Sequence, residues 1–178
     1  MENWKIRDRQ TLFSCPIMSV EQNTATNPRN GLDGKYIINH FPDWVNIIAL
    51  TPERQVLLTR QYRHGVGRMD CEIPGGAIDQ EDQSPLDAGL RELEEETGYI
   101  AESARIIGST SPNPALQANS CYFILAENVT PTGTVKLDDG ENIEVFLQDL
   151  KDIPKMILSG EISNAMIAAA FYALDNEA

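Results

Sequence analysis

Long apolar runs are missing from this 178-residue chain. The longest, Ala165–Leu174, reaches about half of the roughly 20 residues a membrane span needs, and suits a buried helix instead. Cysteine is scarce. Cys15, Cys71 and Cys121 are odd in number, far apart and outside any CxxC pattern, which argues against a disulfide framework or a zinc site and fits a reducing, cytoplasmic setting. The opening Met-Glu-Asn-Trp-Lys-Ile-Arg-Asp-Arg is charged throughout and has nothing like the apolar stretch of a signal peptide. Histidine is equally sparse: His40 and His64 show no metal-ligand or triad spacing and receive no catalytic role. Basic residues are few, 14 Lys+Arg against 27 Asp+Glu, for a net charge of −13. That balance speaks against nucleic acid and against anionic membranes as partners, since both need a basic surface. It leaves a small anionic ligand open, because charge need not be evenly spread.

It is not evenly spread. Residues 79–96 hold eight acids and one base, and residues 138–152 hold six acids and one base. The remaining 145 residues are nearly neutral. A third segment leans the other way: Arg54, Arg60, Arg63 and Arg68 fall within fifteen residues that contain no acid. With 42% hydrophobic and 23% charged residues, the chain has ample material for a core. Its length suits one domain, or one plus a small appendage.

The first fifty residues read as β structure. Thr11–Val20, Tyr36–His40 and Val45–Thr51 are rich in β-branched and aromatic side chains, and Asn27–Gly34 is a turn-rich break between the first two. Gln55–Tyr62 is expected to pair with Val45–Thr51 as a hairpin, and a short strand, Asp70–Ile73, meets Pro74-Gly75-Gly76. Ser84–Tyr99 carries the strongest helix pattern. Ser84 suits the N-cap, Pro85 the first helical position and Gly98 the stop, while Leu86, Leu90, Leu93 and Thr97 form one stripe. Strands near Ala104–Ser109, Cys121–Glu127 and Ile143–Gln148 follow, then helices over Ile153–Leu158 and Asn164–Leu174. Interleaved strands and helices indicate an α/β domain with a mixed sheet.

On the Ser84–Tyr99 helix, Glu92, Glu95 and Glu96 stand at i, i+3 and i+4, so their carboxylates share one face within about one 5.4 Å turn. Such a face offers oxygen ligands to hard divalent cations. A solvated acidic face is the competing explanation, and like-charge repulsion of about 0.2–0.5 kcal/mol per pair does not discriminate.

The surroundings do. Gly76…Arg91-Glu92-Leu93-Glu94-Glu95-Glu96-Thr97-Gly98-Tyr99 resembles the Nudix box, Gx5Ex7REUxEExGU, where U is a bulky apolar residue. The match from Arg91 to Tyr99 is complete, but Gly76 lies fifteen positions before Arg91 where the box has fourteen. Counted forward from Gly76, the first Glu position of the box falls on Asp82; counted back from Arg91, it falls on Gln83. The resemblance implies that Glu92, Glu95 and Glu96 bind Mg²⁺ or Mn²⁺, that Arg91 orients them and that the Gly75 carbonyl is a backbone ligand. It also implies an α/β/α sandwich that hydrolyses a nucleoside diphosphate linked to another group.

Three further segments resemble the ADP-ribose and nucleotide-sugar pyrophosphatase group of that family. Arg60-Gln61-Tyr62-Arg63 is similar to its Gln-x-Arg, so Arg63, together with Arg60 or Arg68, is a candidate to pair with phosphate. Pro114 matches a proline of the group, which makes Pro112–Gln117 a substrate-side loop in which Asn113 and Gln117, with Asn119 just beyond, are candidates to bind a sugar. Asp138–Val145 resembles its acidic loop, with Glu141 and Asp139 as candidates for the catalytic base or a further metal contact. Related enzymes dimerise through a β-rich N-terminal segment, here residues 1–43 ahead of a Nudix domain at 44–178, and Trp4, Phe13 or Trp44 is a candidate to stack on a base. The expected activity is therefore hydrolysis of a small nucleotide sugar by a homodimer. A preference for nucleoside triphosphates or dinucleotides, or a non-catalytic nucleotide sensor on the same fold, are the alternatives.

Overall fold

The computed structural model describes residues 3–137, 140 and 142–177. Asp139 and Glu141, the candidate bases, lie outside the described residues. The chain divides into two compact units, Met1–Asp43 with Ser111–Ser120, and Trp44–Thr110 with Cys121–Ala178.

The first unit is an antiparallel three-stranded sheet of β1 (Lys5–Cys15), β2 (Met18–Thr26) and β3 (Asp33–His40). The expected single strand over Thr11–Val20 is in fact the tip of the β1–β2 hairpin. Cys15 pairs with Met18 across Pro16-Ile17, where a proline without Asn or Gly makes the turn. Segment Ser111–Ser120 docks on β3: Asn39 N–H donates to Leu116 O at 2.7 Å and Ala118 N–H to Asn39 O at 3.1 Å. Pro114 and Gln117 therefore belong to this unit.

The second unit is built on a sheet of β4 (Trp44–Leu50), β5 (Gln55–Arg63), β6 (Arg68–Glu72), β8 (Ser103–Thr110), β9 (Cys121–Glu127) and β11 (Glu144–Asp149). β7 (Tyr99–Ile100) and β10 (Thr130–Pro131) form a separate two-residue ladder. The β4–β9 pairing is parallel and the others are antiparallel, so the sheet is mixed, as expected.

Strand alternation sorts the core into two layers. Val45, Ile47 and Ala49 of β4, Leu57 of β5, and Ile124 and Ala126 of β9 face Ala88 and Leu93 of helix α1 (Pro85–Thr97). Ile48 and Leu50, Val56 and Leu58, and Phe123 and Leu125 turn to the opposite side. There they pack on α2 (Ile153–Ser159) and α3 (Ala165–Asp175). The result is the α/β/α sandwich the sequence suggested. No described helix is long and apolar enough to cross a membrane.

Two local features set the site. Helix α1 starts at an N-cap serine: Ser84 Oγ accepts from Asp87 N–H at 3.2 Å and donates to Asp87 Oδ2 at 2.7 Å. Gly98, at φ 70°, ends it with its N–H on Glu94 O. The second feature is a divergence in the sheet. β4 and β5 pair only at Leu50 and Val56. Beyond that point β5 pairs with β6, while the N–H groups of Val45 and Ile47 go to the carbonyls of Gly76 and Pro74, each at 2.9 Å. The Pro74–Gly76 segment thus runs along β4 as an extra rung, and a side chain at Gly75 would meet Val45 O at 2.2 Å.

Because Leu93 is fully buried beneath the acidic face of α1, Leu93→Ala should destabilise the protein by about 2–5 kcal/mol through lost burial and a residual cavity. A urea unfolding midpoint checks this.

Candidate functional site

The glutamate face of α1 and the Pro74–Gly76 rung line a cavity of about 280 Å³ with Gln61, Arg63, Arg91 and Lys136. Glu92, Glu95 and Glu96 all reach it, at three depths. The Glu92 side chain is mostly buried, that of Glu95 is 41% exposed, and Glu96 is only 4% exposed. Glu96 Oε2 accepts from Gly75 N–H at 3.1 Å. Gly76 matters for the space it leaves, since a Cβ there would lie 2.5 Å from Glu92 Oε1.

Arg91 spends all five of its N–H donors in this corner. Nε and Nη2 grip Asp82 Oδ1 and Oδ2 at 3.1 and 3.0 Å, and Nη2 also reaches Ala77 O at 3.3 Å. Nη1 donates to Glu92 Oε1 and Glu95 Oε2, both at 2.9 Å. The bidentate bond to Asp82, with Glu95 and Glu92 adding to it, raises the Arg91 pKa well above the ordinary value despite partial burial. The same bond holds the Asp82 carboxyl below its usual range.

The loop count is thereby settled. Forward counting from Gly76 finds the acid that meets Arg91, and the extra residue falls after it. Asp82 also folds the loop on itself, accepting Asp79 N–H at 2.8 Å.

The candidate arginines separate by strand parity. Gln61 and Arg63, two apart on β5, line the cavity, whereas Arg60 points to the other face. There Arg60 pairs with Glu144 at 3.2 Å and lies 4.8 Å over the Phe146 ring. Arg68 sits 3.8 Å from Asp70 and does not line the cavity. Arg63 donates from Nε and Nη2 to the buried Glu72 carboxylate. Burial works to lower the Arg63 pKa, and the Glu72 hydrogen bond and charge outweigh it and raise it. A second cavity of about 520 Å³, lined by Trp44, His64, Ser163 and Met166 among others, shares Arg63, Gly75, Gly76 and Ala77 with the first.

Lys136 was not anticipated. Its backbone N–H bonds Glu95 O at 2.9 Å, tying the segment after β10 to the end of α1; a lone lysine between β10 and β11 has no spacing signal to mark it.

The lining offers oxygen donors, the type a hard divalent cation prefers, and a glycine rung that leaves room beside Glu92, while among the described residues no three acids stand grouped as a formed metal site. Glu92 and Glu95 turn to Arg91, and Glu96 to the Gly75 amide. A cation would thus draw on carboxylates already held in place.

Asp82→Asn should lower stability at neutral pH. A depressed carboxyl contributes stability above its unfolded pKa, and that contribution is lost as pH falls through the folded value. The difference from wild type should therefore close as the pH drops from about 4 through the lower value Asp82 has in the fold. Urea midpoints measured across that range check it.

A model of the NUDIX domain matches residues 40–169. The ADP-ribose pyrophosphatase of Bacillus subtilis (strain 168) is 29% identical over 163 residues, covering 91% of this chain and 87% of that protein. An ADP-ribose pyrophosphatase of Mycobacterium tuberculosis is 25% identical, covering 93% and 80%. The methanol dehydrogenase activator of Bacillus methanolicus is 26% identical, covering 93% and 90%. A crystal structure of an ADP compounds hydrolase matches with a TM-score of 0.87 at 20% identity, over 98% of this chain and 94% of that one, which is a likeness of fold. The domain match spans well over half of the chain and contains the whole glutamate face, the Gly75-Gly76 rung and the Arg91 cluster: this chain belongs to the NUDIX family.

Proposed function

We propose that this protein is a divalent-metal-dependent hydrolase, using Mg²⁺ or Mn²⁺, that cleaves the pyrophosphate of ADP-ribose or a related nucleoside diphosphate sugar into a nucleoside monophosphate and a sugar phosphate. The observation that carries the reading is one small cavity in which Glu92, Glu95, Glu96 and Gly75 stand together with Arg63. The ADP-ribose pyrophosphatases among its relatives favour this substrate class.

In this reading Glu92, Glu95, Glu96 and the Gly75 carbonyl hold the metal. Arg91 fixes the carboxylates, and the exposed edge of the Arg63 guanidinium meets a phosphate oxygen. A divalent cation, when bound, neutralises the phosphoryl oxygens and lowers the pKa of the attacking water. The water oxygen bonds to one phosphorus, the bridging P–O bond breaks, and the departing phosphate keeps its electron pair. Asp139 or Glu141 is proposed to take the water's proton. Arg60 is committed to Glu144 and Phe146, which leaves Arg63 as the principal phosphate contact, with Arg68 further out.

Pro114 and Gln117 are proposed to meet the sugar, and the first unit to pair two copies of the chain. Exposed Ile6, Leu12, Phe13 and Ile17 on the β1–β2 hairpin support that pairing. Unpaired Cys71 and Cys121, buried and with thiol pKa values pushed up to about 11 and about 12 by burial, are inert thiols that suit a cytoplasmic protein.

Glu95→Gln and Glu96→Gln should each lower turnover by about 10²-fold or more while the far-UV circular dichroism stays native. Near-normal turnover in both would sink the metal assignment. Arg91→Lys keeps the charge but not the five-donor fork, and should cost about 10–100-fold in activity. Assay of nucleotide sugars, dinucleotides and triphosphates with Mg²⁺ tests the substrate class. Hydrolysis in ¹⁸O-water should place label in a phosphate product, and label only in a non-phosphorylated sugar would exclude attack at phosphorus.

A further inference from the structure

Glu72 is a carboxylate where a carboxylate is expensive. It is 4% exposed, at the end of β6, on the same face of the β5–β6 hairpin as Thr59, Gln61, Arg63 and Asp70. Its partner, Arg63, is only half-buried, with a side chain 44% exposed against 6% for Glu72, so the pair ties a buried carboxylate to an arginine that still reaches solvent. The neighbouring acids Asp70 and Glu96 add their charge near Arg63 but hydrogen-bond to other groups. Asp70 accepts Ser163 Oγ–H at 2.6 Å, and Glu96 accepts Gly75 N–H. Glu72 takes Arg63.

The way it does so is specific. Both Nε and Nη2 of Arg63 donate to one oxygen, Glu72 Oε2. This uses the inner edge of the guanidinium. Nη1 hydrogen-bonds to no described residue, and Arg63 lines both the glutamate cavity and the larger one beside it. An arginine with a long free side chain would collapse onto the glutamate face, where three carboxylates compete for it. Held by Glu72 through Nε and Nη2, it leaves Nη1 uncommitted among the described residues while the side chain lines both cavities.

We propose that Glu72 is a positioning residue. It anchors the inner edge of Arg63 so that the Nη1 edge is presented, pre-oriented, to a phosphate oxygen, and it keeps Arg63 from neutralising the metal-binding carboxylates. The proposal rests on the pyrophosphatase reading above and adds to it a residue that makes no contact with the substrate. Glu72 acts through Arg63 alone, so its effect on binding vanishes when Arg63 is absent.

Four proteins test this: wild type, Arg63→Ala, Glu72→Gln and the double variant. Binding of adenosine 5′-(α,β-methylene)diphosphate, whose P–C–P bridge is not hydrolysed, is measured calorimetrically in Mg²⁺. Glu72→Gln should weaken binding about 10-fold, within the range for residues that orient a ligand-contacting group. The double variant should bind like Arg63→Ala to within about twofold, because coupled residues are non-additive. Losses that multiply would show that Glu72 acts on its own and would overturn the proposal, as would unchanged binding in Glu72→Gln. With the hydrolysed substrate, the single variant should raise KM more than it lowers kcat, and Glu72→Asp should recover part of the loss.

A second measurement needs neither metal nor substrate. The Arg63 Nε–H resonance, identified by its loss in Arg63→Lys, should be visible and slow to exchange in wild type and broadened away in Glu72→Gln. An unchanged resonance would overturn the anchoring. Absence of analogue binding to wild type, with the resonance behaving as expected, would instead place the failure in the pyrophosphatase reading.

Discussion

The site depends on one guanidinium. Arg91 is the single base among the eight acids of residues 79–96, and each of its five N–H groups has an acceptor. It therefore joins the loop at Ala77–Asp82 to the first carboxylate of the α1 face and to the second, one turn on. Removing a charge from that set leaves a partly buried acid uncompensated, which is more costly than any exposed ion pair. The acid excess of the segment is thus partly internal, balanced at its centre rather than spread on a surface.

The second constraint is backbone. Alternate residues of β4, β5 and β9 serve two helical layers, so the middle of the sheet is covered on both faces. The site forms instead where β4 and β5 part and the Pro74–Gly76 rung takes the place between them. Glycine at 75 and 76 follows from that crowding: Val45 O stands against one position and the Glu92 carboxylate against the other. Strand parity then allots the arginines. Three steps along β5, an odd number, separate Arg60, paired with Glu144 of β11, from Arg63, on the wall of the cavity.

Much of this could be read from the sequence wherever the determinant is local. Ser84, Pro85 and Gly98 bound α1, and the i, i+3, i+4 spacing puts three glutamates on one face, because helix geometry converts spacing directly into position. The loop was harder. Two counts were possible for its acid, and only the closed fork between Asp82 and Arg91 decides between them. The hairpin at Pro16-Ile17 escaped notice because it lacks the Asn-Gly or Asp-Gly signal of tight turns, and its apolar and β-branched flanks look like one continuous strand. Lys136 and Glu72 gave no sign at all, since what distinguishes them is a contact made only on folding: Lys136 with Glu95, 41 residues away, and Glu72 with Arg63 across the β5–β6 hairpin.

The rung at Pro74–Gly76 has a consequence for how the protein fails. Its carbonyls at 74 and 76 are held by amides of β4, a strand whose residues from Val45 to Leu50 are mostly fully buried between the two helical layers. Hydrogen bonds in such a place open only when the sheet itself opens. The glycine that faces the glutamates therefore has no soft mode of its own. On heating, the Pro74–Gly76 corner is expected to open together with the core rather than ahead of it.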